Sequence, residues 1–152
     1  MNQVIEVDSI EAMHKFGAAL GEQLRTGDLI LLSGPLGAGK TALTQGIGIS
    51  LGISGITSPT FVISRIHQGK VRLIHVDAYR MQENQGDSMA LFDDLDLESY
   101  LETSVTVVEW GEGLATRISD SFLELKLSFG LGESERIIEV IKHGARWDAL
   151  VL

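Results

Sequence analysis

Eight consecutive residues constrain this chain more than any others: Gly34-Pro35-Leu36-Gly37-Ala38-Gly39-Lys40-Thr41. They follow an unbroken apolar run, Leu29-Ile30-Leu31-Leu32, and precede a segment that reads as a helix from Lys40 to Leu51, with Gly52 and Gly55 at its exit. Such an apolar run fits a strand buried on both faces, in a sheet covered by helices. A glycine-rich turn between that strand and a helix lets the backbone wrap an anion, with successive N–H groups pointing inward. The helix start adds unpaired N–H groups and the positive end of its dipole. The spacing G-x-x-x-x-G-K-[ST] supplies Lys40 as a point charge for the outer phosphates and the Thr41 hydroxyl as an Mg²⁺ ligand. The pattern, in this strand-then-helix setting, is that of a P-loop nucleotide site.

The remainder of the chain reads as strands separated by helices. Val4 to Val7 is a strand candidate. Asp8 and Glu11 have capping-box spacing ahead of Met13, Phe16, Leu20 and Leu24 at helical intervals. Phe61 to His67 and Val71 to Asp77 form a hairpin about Gln68-Gly69, and short helices are expected at Met89–Phe92 and Leu97–Glu102. Val105 to Glu109 is another buried strand. Phe122 to Phe129 alternates apolar and polar residues, and Arg136 to His143 returns beside it as a second hairpin. The expected fold is α/β and P-loop NTPase-like: a mixed β-sheet flanked by helices, with antiparallel hairpin additions, in one domain over residues 1–152.

A P-loop needs an acid near its metal, normally at the end of a neighbouring buried strand. Glu109, closing Val105–Val108, is the candidate for that position. Asp77, closing Leu73–Val76, is the second; it would orient the attacking water or hold the outer shell of Mg²⁺, unless it merely caps the turn into Tyr79-Arg80. Both choices follow the rule that ligands in open α/β sheets gather at the carboxyl ends of strands. Thr57-Ser58-Pro59-Thr60 occupies the place where P-loop switches sense the γ-phosphate, although these residues by themselves favour a plain proline turn starting a strand. His75, with apolar flanks, reads as a core histidine.

Charge and composition remove several function classes. Twelve Lys and Arg against 21 Asp and Glu give a net charge of −9. The excess is local, because residues Met81 to Thr116 contain no Lys or Arg but hold Glu83, Asp87, Asp93, Asp94, Asp96, Glu98, Glu102, Glu109 and Glu112. A broad basic face for nucleic acid is therefore not expected; the run is a solvated face or an acidic docking surface. There is no cysteine, hence no disulfide framework or thiolate metal site. No apolar run reaches the roughly 18 residues of a membrane span, and the N-terminus lacks a secretory profile. A cytoplasmic protein is expected. A GTPase would carry N-K-x-D, which is absent, and a small-molecule kinase would carry arginines in the 81–116 stretch.

Taken in order, the P-loop, Ser58-Pro59-Thr60-Phe61, His75-Val76-Asp77-Ala78-Tyr79-Arg80 and Val108-Glu109-Trp110 resemble the TsaE (YjeE) family of bacterial tRNA-modification ATPases over nearly the whole chain. The resemblance implies binding of ATP/ADP and Mg²⁺, feeble ATP hydrolysis alone, and action with the TsaB and TsaD proteins. There TsaD threonylcarbamoylates adenosine 37 of tRNAs reading ANN codons, and ATP hydrolysis resets the TsaB–TsaD complex, tRNA being held only through the partners. By the same resemblance, Leu36, Gly37, Ala38, Gly39, Lys40 and Thr41 cradle the nucleotide, Thr41 and Glu109 hold Mg²⁺, and Lys40, Asp77 and Thr60 serve hydrolysis or switching. Two departures stand out: Pro35 replaces an acid frequent in the family loop, and Val62 replaces a threonine. A nucleotide-gated binding module, with hydrolysis incidental, is the alternative.

Overall fold

A computed structural model describes residues 2–57, 64–78, 96–109, 116 and 118–152. Its seven strands are β1 (Gln3–Val7), β2 (Leu29–Ser33), β3 (Ser64–His67), β4 (Arg72–Asp77), β5 (Ser104–Glu109), β6 (Phe122–Phe129) and β7 (Arg136–His143). The helices are α1 (Ile10–Gln23), α2 (Lys40–Ser50) and the short α3 (Leu97–Leu101). They build one sheet in the order β1-β7-β6-β2-β5-β4-β3. The middle four, β6-β2-β5-β4, are mutually parallel. β3 joins one side antiparallel to β4, and the β7-β1 pair joins the other. The mixed sheet with its two hairpins is thus the expected α/β architecture.

Every residue of β2 and of β5 is buried, as their unbroken apolar character requires of central strands covered on both faces. Alternation along the strands divides the core in two. Ile30, Leu32, Leu73, Val105 and Val107 pack with α1 and α2, while Leu29, Leu31, Ile74, Val76 and Val108 pack with Leu97 and Leu101 of α3. The predicted apolar stripe of α1 is the one it buries, Met13, Phe16 and Leu20. Its cap differs by one residue from the expected Asp8: Ser9, in extended conformation, accepts a hydrogen bond from the Ala12 amide at 3.0 Å. Either residue type serves as a cap, and the one whose backbone turns into the helix takes the role.

The remaining boundaries fall close to expectation. α2 ends at Ser50, β5 begins at Ser104 and α3 stops at Leu101. Residues 61–63 and the helix predicted at Met89–Phe92 lie outside the described residues. Below the sheet, Asp28 at the entrance to β2 is locked by Arg146, with Arg146 Nε and Nη2 donating to its two carboxylate oxygens at 2.8 and 2.7 Å. Among the described residues no helix is long and apolar enough to cross a membrane.

α1 and α2 approach so closely that glycine is obligatory between them. A Cβ added to Gly17 would collide with the Leu43 carbonyl oxygen, and one added to Gly46 would collide with that of His14. This contact seats α2, and therefore the loop before it, against the sheet. Overpacking of this kind costs about 1–3 kcal/mol. Gly17→Ala is expected to lose that much unfolding free energy in urea denaturation. A wild-type midpoint would mean that the two helices ride further apart than described.

Candidate functional site

The loop Gly34–Gly39 leaves the carboxyl end of β2 and enters α2 at Lys40. Its shape depends on glycine at two points. Gly34 has φ +143°, and a side chain there would run into the Leu127 carbonyl oxygen of β6. Gly39 has φ +108°, with a hypothetical Cβ 2.8 Å from the Met13 methyl group of α1. The loop is therefore pinned between a neighbouring strand and the first helix. Gly39 provides no side-chain cap, so the first-turn N–H groups of α2 are left to other acceptors. From the β6–β7 turn, Arg136 lies over the Phe129 ring and its Nε donates to the Gly37 carbonyl at 3.3 Å.

Lys40 is 6% exposed. Its ammonium donates to the carbonyls of Gly34 at 2.7 Å and Pro35 at 3.2 Å. Burial pushes it below the usual lysine range, and the carboxylates of Glu109 and Asp77 oppose that shift. Those acids arrive by strand register. Asp77 is the partner of Glu109 across β4 and β5, and Glu109 is in turn the partner of Leu32 on β2. Being in register on parallel strands, Asp77 and Glu109 share the sheet face that Leu73, Val107 and Leu32 turn toward α2. The Ala78 amide donates to the Glu109 carbonyl at 2.8 Å, closing the two strand ends together.

Glu109 is buried rather than a solvent-exposed strand end. Its Oε2 lies 2.6 Å from Nε2 of His75, itself fully buried. This contact is missing from the sequence reading of His75 as a core histidine. The available signal was the H-x-D spacing, which puts His75 and Asp77 on one face of a strand. Arg136 was also missed, and standing 99 positions beyond Gly37 it followed no local pattern that could have found it.

Of the predicted site residues, the structure brings Lys40, Asp77 and Glu109 together around the loop Leu36-Gly37-Ala38-Gly39, with Thr41 in the first turn of α2. Thr60 lies outside the described residues, as do Tyr79, Arg80, Trp110 and Val62. So do Glu83, Asp87, Asp93, Asp94 and Glu112 of the acidic run. Gln45 of α2 donates to the Ile56 carbonyl at 2.8 Å while its amide oxygen meets His14 of α1 at 3.0 Å.

Gly34 and Gly27 both have positive φ, but around Gly27 there is open space. Gly34→Ala is therefore expected to cost about 1 kcal/mol or more beyond Gly27→Ala, since it adds a collision to the same backbone strain. Paired denaturation midpoints check the ranking; equal losses would place the loop away from Leu127.

Residues 7–138 match the family described as "Threonylcarbamoyl adenosine biosynthesis protein TsaE". A Mycobacterium tuberculosis protein (strain H37Rv), named tRNA threonylcarbamoyladenosine biosynthesis protein TsaE, is 48% identical over 124 residues, 78% of this chain and 74% of its own. The Streptomyces coelicolor protein of the same name is 44% identical over 142 residues, 89% and 93% of the two chains. Among solved structures, the crystal structure of Bacillus subtilus YdiB superposes with a TM-score of 0.78 at 27% identity, covering 97% of this chain and 89% of that one. With its P-loop fold and a match running from β1 into β7, the chain belongs to the TsaE family.

Proposed function

We propose that this protein is a Mg²⁺-dependent P-loop ATPase of the bacterial cytoplasm, required for threonylcarbamoylation of adenosine 37 in tRNAs that read ANN codons. In this reading it hydrolyses ATP weakly alone and faster with TsaB and TsaD, resetting that complex between turnovers. The observation that carries the proposal is the meeting of Lys40, at the start of α2, with Asp77 and Glu109 at the carboxyl ends of adjacent parallel strands, beside a loop whose Gly34 has no room for a side chain and whose Gly39 has positive φ. The net charge of −9 agrees with tRNA being held through the partners.

The residues fit a magnesium nucleotide. Mg²⁺ takes oxygen ligands and binds through one or two carboxylates plus substrate phosphates and water. Thr41 and Glu109 offer such oxygens. Among the described residues no three His, Cys, Asp or Glu side chains form a metal centre of their own, so phosphate and water oxygens are left to complete the shell. Bound there, the ion neutralises charge on the transferring phosphoryl group. The backbone of Leu36 to Thr41 would hold the phosphates. Lys40 would exchange the Gly34 and Pro35 carbonyls for phosphate oxygens, gaining a full counter-charge for a buried ammonium. Asp77 would orient the attacking water, and Thr60 would sense the γ-phosphate.

Removing a preorganised charge from such a site costs roughly 3–4 kcal/mol, two to three orders of magnitude in rate. Lys40→Ala and Glu109→Gln are each expected to lower partner-stimulated phosphate release about 100-fold or more. A Lys40→Ala protein that still supported full ATP-dependent tRNA modification would sink the proposal.

A second reading, a nucleotide-gated binding module of the same complex, is favoured by Leu36, an apolar side chain 92% exposed within the loop itself. A side chain so placed serves contact rather than phosphate binding. A non-hydrolysable ATP analogue separates the readings. Modification stopping after one round is expected for the ATPase, and many rounds on the analogue for the module.

A further inference from the structure

His75 is buried beside the proposed metal-side acid, yet the proposed hydrolysis gives it no task. It stands on β4 two residues before Asp77, so both side chains lie on the face that meets α2. Asp77 is paired with Glu109 and His75 with Val107, which sets the imidazole diagonally from the Glu109 carboxylate. The resulting contact, 2.6 Å from Nε2 to Oε2, is at the short end for a nitrogen donor to a charged oxygen.

The other ring nitrogen, Nδ1, is buried with no hydrogen-bond partner among the described residues. A carboxylate only accepts, so the proton of this contact belongs on Nε2, and Nδ1 is left unpaired among those residues. Burying a polar atom in that condition costs about 1–3 kcal/mol. A leucine or phenylalanine would fill the same core volume without it. The histidine is therefore explained by the one bond it does make, and that bond goes to Glu109.

We infer that His75 is a positioning residue: its Nε2–H holds Oε2 of Glu109 and leaves the other carboxylate oxygen for a divalent cation, or for that cation's water, beside the P-loop. The inference rests on the proposed reading of Glu109 as the metal-side acid and deepens it. A glutamate has three side-chain torsions, and only a buried donor fixes which oxygen is presented. Removing such outer partners of metal ligands typically costs 10–100-fold in metal affinity.

The test is binding of a fluorescent ADP analogue to the full chain, first in EDTA and then across a Mg²⁺ titration. His75→Phe keeps the ring and deletes the donor, while His75→Gln puts an amide N–H where Nε2 was. For His75→Phe the Mg²⁺ midpoint is expected to rise at least tenfold with EDTA binding unchanged within twofold, and for His75→Gln to stay within threefold of wild type. If wild type responds to Mg²⁺ and Glu109→Gln does not, but His75→Phe keeps the wild-type midpoint, the reading of Glu109 stands and the inference about His75 is overturned. If the wild-type chain itself shows no Mg²⁺ effect, the reading of Glu109 fails and takes the inference with it. Should His75→Phe not fold, His75→Asn, whose amide reaches only the Nδ1 position, is compared with His75→Gln. A tenfold difference supports the inference and equal midpoints refute it.

Discussion

A lysine ammonium drawn almost wholly out of water is the constraint around which this structure is organised. Lys40 pays desolvation for its place at the start of α2, and burial alone shifts it toward the neutral form. Two carbonyls and two carboxylates answer that cost. The carbonyls of Gly34 and Pro35 come from the loop preceding the lysine, which therefore has to double back on itself. The carboxylates of Glu109 and Asp77 come from strands far along the chain, and their arrival depends on β5 and β4 lying parallel to β2 with their ends level. A slip of one residue in either register would turn the acid to the opposite face of the sheet. Such a slip would drive a carboxylate away from Lys40 and into the apolar cluster of Val76, Ala78 and Val108, which makes it expensive.

Burying Glu109 creates a second debt of the same kind, since an uncompensated carboxylate is as costly as an uncompensated ammonium. His75 and Lys40 meet it from two directions, one by a direct hydrogen bond and one through the field between opposite charges. The four groups form a unit in which each makes the burial of another tolerable. Such a unit holds a set geometry before any ligand arrives, which is the condition under which electrostatic stabilisation is most effective. The tight seating of α1 against α2 through Gly17 and Gly46 serves the same end, because it fixes the helix that carries Lys40 and Thr41.

What was legible in the sequence was whatever short-range pattern encodes. The run Leu29–Leu32 announced a doubly covered strand, the loop spacing announced a tight glycine turn between that strand and a helix, and strand ends placed Asp77 and Glu109 beside one another near Lys40. The hairpins about Gln68-Gly69 and before Arg136 were equally readable, because turn residues and alternation sit within a few positions of each other. Interactions that exist only after the sheet assembles were not. The bond from His75 to Glu109 spans 34 positions and that from Arg136 to Gly37 spans 99, so the H-x-D spacing could mark the face of His75 but not its partner, and the hairpin arginine carried no local mark of its contact. The misplaced cap on α1 is a different failure. Asp8 and Ser9 are both competent, and the choice lay in one residue's backbone torsions.

The balance of charge in the site also bears on what it would accept. Asp77 and Glu109 place two negative groups beside Lys40, so a bare triphosphate approaching the loop would meet both carboxylates on the strand-end side. A divalent cation, which takes oxygen ligands, would relieve the conflict if Glu109 and Thr41 held it, with Lys40 and the first turn of α2 left for the phosphates. Pro35 sharpens this argument. Its side chain carries no charge and its nitrogen no N–H, so among the described residues the negative groups at hand are those at the strand ends. Recognition of the phosphates by the loop and of the cation by the strand ends would thus be separated in space. That separation lets the nucleotide's charge and its metal be felt by different elements of the fold.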